Sequence, residues 1–96
     1  MYTPNPQHKT GWQHFLHLCQ SLNDKPSLIQ LFDLFLTDEE KQNLATRALI
    51  IEALIEGKQT QREIAENLQV SISKITRGSN MLKRVDPRFL TKLFRT

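Results

Sequence analysis

Ninety-six residues with 39% apolar content make one domain with a thin core, below the roughly 45–50% of a typical globular chain. No apolar run approaches the roughly 18 residues of a membrane span. Residues 1–9 lack the apolar centre of a secretory signal, and the single cysteine, Cys19, leaves no intrachain disulfide, so a cytoplasmic setting is expected. The net charge of +3 is unevenly spread: residues 70–96 hold seven Lys/Arg against Asp86 alone, while residues 1–69 hold nine acidic and six basic residues. That polarity suits a polyanionic partner at the C-terminal half.

Period-2 alternation is absent, so the expected fold is all-α, with six helices. Residues 1–10, with Pro4 and Pro6, read as a disordered arm before a single helical domain over 11–96. The first helix is expected from Gly11 to Leu22, with Trp12, Phe15, Leu18, Cys19 and Leu22 on one stripe. Asn23 and Asp24 interrupt it, and Pro26 opens a second helix carrying Leu28, Leu31, Phe32 and Phe35. Thr37-Asp38-Glu39-Glu40 has capping-box form and starts a third helix, which Gly57 ends. Its acidic first turn also complements the helix dipole.

Within that helix, Ala48 to Ile55 is apolar almost all round. Leu49, Ile50 and Ile51 together sweep about 200° of the surface. Such a helix is expected to be enclosed on several sides, with more apolar surface than one short chain covers. A homodimer is the natural remedy.

Thr60-Gln61-Arg62-Glu63 repeats the capping-box form and opens a fourth helix to about Leu68. A tight turn at Gln69-Val70 leads to Ser71 as N-cap of a fifth helix. Asp86-Pro87 starts the last helix, with Phe89, Leu90, Leu93 and Phe94. Helices four and five, with Ala65 where they approach, form a helix-turn-helix over about 61–83. Its second helix would offer Ile72, Ser73 and Thr76 to base edges in a major groove, with Arg62 at a phosphate or a guanine. Gln69 stands where the turn usually has glycine, and a left-handed conformation there costs an L-residue about 1 kcal/mol.

Residues 76–83, Thr-Arg-Gly-Ser-Asn-Met-Leu-Lys, are the most informative stretch. Glycine costs about 0.5–1 kcal/mol relative to alanine inside a helix, so Gly78 implies a close approach to its backbone. The reading helix therefore carries a second task.

With Thr46-Arg47, Gln61-Arg62-Glu63 and Ile75 to Asn80, the chain resembles the tryptophan repressor family over roughly residues 12–90. The resemblance implies an intertwined helical homodimer, not an enzyme, that binds operator DNA when L-tryptophan occupies it as corepressor. It implies an effector site of Arg47, Arg77, Gly78, Lys74 and Met81, completed by Leu34, Leu36 and Thr37 of the partner chain. Arg47 would hold one side of the indole, and Arg77 the other side and the carboxylate. Guanidinium groups suit both tasks, because they pair with carboxylates and stack on aromatic faces. For DNA the resemblance implies Thr46, Gln61, Arg62, Ser71, Ile72, Ser73, Lys74, Thr76 and Lys83.

Three positions depart from the family pattern. Met81 replaces a common serine, Lys74 a threonine, and Ala65 a lysine that often helps bind DNA. They leave room for a second reading, a DNA-binding regulator with another ligand or none. A third is a helical module that binds a protein partner through its apolar third helix. His14 and His17, one turn apart, have metal-ligand spacing. Cys19 lies about 200° round the helix from His17, so no third ligand is well placed and no metal is expected. No nucleophile–base set or phosphate loop is present.

Overall fold

The computed structural model describes residues 6–94, and every described regular element is an α-helix. The chain forms two compact units, one ending at Thr37 and the other beginning at Asp38. None of the described helices is long and apolar enough to cross a membrane.

The first unit holds α1 (Pro6–Gln20) and α2 (Lys25–Phe35). α1 begins at Pro6, five residues before the expected start at Gly11, so residues 6–10 are helical and not an irregular arm; residues 1–5 lie outside the described residues. Asp24 is the N-cap of α2, its carboxylate accepting from the Ser27 N–H at 3.0 Å. That contact satisfies a donor the helix start would leave open. Phe15 joins the two helices: its ring stacks 5.8 Å from Trp12 and meets Phe35 edge-on at 5.2 Å. α2 ends where Leu36 turns extended, its N–H still reaching the Phe32 carbonyl at 2.8 Å.

The second unit holds α3 (Asp38–Glu56), α4 (Gln61–Leu68), α5 (Ile72–Leu82) and α6 (Pro87–Leu93). Gly57 stops α3 in the left-handed region at φ 68°, where glycine has no Cβ to clash. The capping box of α4 is complete. The Glu63 N–H donates to Thr60 Oγ1 at 3.1 Å, and the Thr60 N–H donates to Glu63 Oε1 at 2.8 Å. α4 closes on a Schellman turn, with the Val70 N–H on the Ala65 carbonyl and the Gln69 N–H on that of Glu66. Gln69 itself sits at φ 56°, ψ 47°, the left-handed conformation expected of the turn. Ser71 precedes α5, but its hydroxyl does not cap the helix and instead meets that of Ser73 at 3.0 Å.

α3, α4 and α5 pack on one another. Ile50, Ile64, Ala65 and Ile75 form the buried centre, with Ala53, Leu54, Leu68 and Val70 closing its edges. α3 is not enclosed within a single chain: Ile50 is its only buried residue, and Leu49 beside it is 53% exposed.

Candidate effector pocket and nucleic-acid interface

Two helical stripes in the second unit face each other across a cavity of about 290 Å³. From α3 come Glu39, Asn43, Thr46, Arg47 and Ile50, spaced i, i+4, i+7, i+8 and i+11. From α5 come Lys74, Arg77, Gly78 and Met81, spaced i, i+3, i+4 and i+7. Both spacings keep residues on one side of a helix, so one groove collects every side chain whose position falls on its stripe.

Gly78 on α5 lies against α3. A Cβ there would stand 3.0 Å from Ile50 Cγ2, 3.5 Å from Leu54 Cδ1 and 3.7 Å from Ile51 Cδ1. The close approach that the glycine implied is thus made by α3 itself, with the bare backbone also forming the cavity floor. The cavity is charged at its rim and apolar beneath. Arg47, Lys74 and Arg77 are exposed cations, and Ile50 is buried below them. Planar guanidiniums on both sides of an apolar-floored slot can grip a flat ring and pair with a carboxylate.

Of the effector residues that the sequence pointed to, Arg47, Lys74, Arg77, Gly78 and Met81 come together here. Leu34, Leu36 and Thr37 lie at the end of the first unit, with Leu34 77% exposed. Thr46, expected at DNA, lines this cavity. The sequence assigns Glu39 to a helix start and Ile50 to an apolar face, and assigns neither of them, nor Asn43, to a site, although the stripe through Arg47 contains all three.

The remaining DNA candidates occupy the outer face of the helix-turn-helix. Gln61 and Arg62 are exposed in the first turn of α4, and Ser71, Ile72, Ser73 and Thr76 are exposed at the start of α5. Ile72 is 50% exposed, which is unfavourable for an isoleucine unless something covers it. The Thr76 hydroxyl donates to the Ile72 carbonyl at 3.2 Å. Its proton is occupied, and its oxygen remains free to accept. Lys83 stands exposed at the C-cap of α5.

Two carboxylates of this unit are held below their ordinary range. For Glu63 the main cause is the Thr60 backbone N–H of the capping box, followed by the Thr60 hydroxyl. For Asp86 it is the Arg88 side chain, which donates through Nη2 to Oδ2 at 3.0 Å, followed by the Arg88 N–H at 2.8 Å. Both carboxylates are exposed and sit at helix N-termini, so they organise the scaffold.

A second, open groove of about 340 Å³ lies beside the cavity and shares Arg47 and Met81 with it. Apart from Arg47 its walls are apolar, among them Leu44, Ile51, Val85 and Phe89.

The chain matches the family model for Trp repressor protein over residues 10–96. It is 53% identical over 83 residues to a Trp operon repressor homolog of Chlamydia trachomatis serovar D, covering 86% of this chain and 88% of that protein. A namesake from Chlamydia caviae is 47% identical over 84% of this chain and 80% of its own. One from Haemophilus influenzae is 37% identical over 82% of this chain and 78% of its own. A model match over nearly the whole length, with the cationic slot and the helix-turn-helix in place, makes this chain a member of the Trp repressor family.

Proposed function

We propose that this protein is an L-tryptophan-dependent transcriptional repressor that binds operator DNA as a homodimer. The observation that carries the reading is the placement of two tasks on α5. Arg77 and Gly78 line the slot opposite Arg47, while Ser73 and Thr76 are exposed on the outer surface of the same helix. A ligand wedged between α3 and α5 bears directly on the helix that would read DNA. In this reading Arg77 takes the carboxylate, the two guanidiniums flank the indole, and Leu34, Leu36 and Thr37 of a second copy complete the site.

The dimer is supported by apolar surface that one chain leaves open. Leu34, Leu49 and Phe89 are each more than half exposed, and the groove that includes Leu44, Ile51 and Phe89 is nearly free of polar groups. Exposed apolar area of this extent favours association.

A second reading, a DNA-binding regulator with another ligand, is favoured by one observation: Lys74 and Met81 put an extra cation and a thioether into the slot. Thermal melting at several protein concentrations, with and without L-tryptophan, separates the alternatives. The dimer reading expects a midpoint that rises with protein concentration. The effector reading expects a further gain of about 2.7 kcal/mol at a hundredfold excess of tryptophan over its dissociation constant. Equal shifts from alanine and tryptophan would favour the second reading.

A further inference from the structure

Three cations and one carboxylate line the α3–α5 cavity: Arg47, Lys74 and Arg77 against Glu39. None of the three cationic side chains forms an ion pair or hydrogen bond with another described residue. The cavity therefore carries two positive charges in excess, and Asn43 and Thr46 add neutral donors beside them. A zwitterionic amino acid brings no net charge and leaves that excess in place. A single carboxylate removes half of it. A phosphate group, with close to two negative charges at neutral pH, matches it. The donor geometry agrees, since guanidinium forks fit two oxygens of a tetrahedral anion and a lysine supplies a point charge to a third. Lys74 and Arg77 are one turn apart on α5, so both can reach one anion from the same helix.

We propose that this cavity binds a doubly charged oxyanion of the phosphate class, and that Lys74 sets this preference. The free ion or a terminal phosphate monoester carries that charge, whereas a phosphodiester of a DNA backbone carries one negative charge and leaves half of the excess in place. Free phosphate occupies the guanidiniums that a ligand carboxylate needs, so it raises the effector concentration required for binding. That consequence rests on the proposed effector reading. Phosphate binding itself does not.

The test uses the full chain and the variants Lys74→Thr and Lys74→Arg. Inorganic phosphate is titrated by calorimetry at constant ionic strength against chloride, and duplex DNA is titrated over a range of salt. The wild type is expected to bind phosphate, Lys74→Thr to weaken that binding roughly tenfold, and Lys74→Arg to retain it. Poor binding of free phosphate, with a salt slope of DNA binding lowered by about one in Lys74→Thr, would assign Lys74 to a singly charged DNA phosphodiester and overturn the proposal. Lys74 is exposed, so a shared melting temperature certifies folding of the variants. Phosphate binding that is indifferent to Lys74→Thr also overturns the proposal. Failure of L-tryptophan to bind, with phosphate binding intact, overturns the effector reading alone.

Discussion

Gly78 and Ile50 are in contact where α5 crosses α3: a β-carbon on the glycine would lie 3.0 Å from Ile50 Cγ2. Ile50 is 3% exposed and β-branched, so its methyl has little room to turn away. Gly78→Ala gains about 0.5–1 kcal/mol of helix propensity and meets an overpacking cost of about 1–3 kcal/mol. We expect net destabilisation in chemical denaturation. In the background of Ile50→Ala, which removes the opposing methyl, the same substitution becomes neutral or stabilising. Additive effects in that double-mutant cycle would show that the contact does not constrain the helix crossing.

Gln69 holds a conformation that an L-residue adopts at a cost of about 1 kcal/mol. Gln69→Gly relieves that strain and gives back part of the gain through the greater freedom of unfolded glycine. The expected outcome is a net increase in stability of about 0.5–1 kcal/mol, read as a shift in denaturation midpoint at constant slope. Gln69→Ala, which keeps the Cβ, leaves the midpoint near the wild-type value. A destabilising Gln69→Gly would mean that the glutamine side chain has a role the turn geometry does not reveal.

The capping box sets a pH dependence. Glu63 has its carboxyl held below the ordinary 4.5 by the Thr60 N–H and hydroxyl. A carboxylate with a lower folded value adds stability that is complete above the unfolded value and disappears as pH falls through the folded one. Stability should therefore decline as pH drops below about 4.5, and Glu63→Gln should show a shallower decline. Thr60→Ala should lower stability at neutral pH by about 0.5–2 kcal/mol. Parallel pH profiles for wild type and Glu63→Gln would contradict this assignment.

Arg77 and Thr76 are adjacent in sequence but point about 100° apart on α5. Arg77 lines the cavity, and Thr76 lies on the exposed face with its hydroxyl proton committed to Ile72. Arg77→Ala should weaken L-tryptophan binding and lower DNA affinity through lost coupling. Thr76→Val, which keeps the shape and removes the accepting oxygen, should keep tryptophan affinity and lose about 1–3 kcal/mol of operator preference. Ligand calorimetry beside DNA titration of both variants checks this. The reverse pattern would mean that α5 presents the opposite face to DNA.

Much of this architecture was legible because its signals are local. Thr60-x-x-Glu63 and Asp86-Pro87 each marked a helix start, and Gly57 marked an end. Arg77-Gly78 pointed to a close approach, but the partner proved to be Ile50 on a neighbouring helix, which sequence spacing alone does not identify. The place of Glu39 and Asn43 in the cavity is not legible in the sequence, because exposed polar residues on a helix carry no site signal until the facing helix makes a wall of them. The early start of α1 is not signalled by residues 1–10, where Pro4 and Pro6 suit a disordered arm, although proline also fits the first turn of a helix. Ser71 had the residue type of a cap, yet its hydroxyl found a nearer partner in Ser73.

One titration tests whether tryptophan controls DNA binding by this protein. Duplexes that bind the protein are first selected from a random pool in the presence of L-tryptophan. The selected duplex is then titrated with and without L-tryptophan at several salt concentrations. Tryptophan control predicts saturable binding that weakens as salt rises and tightens at least tenfold when tryptophan is present, equivalent to about 1.4 kcal/mol of coupling. Equal affinity with and without tryptophan, across the salt range, would contradict it.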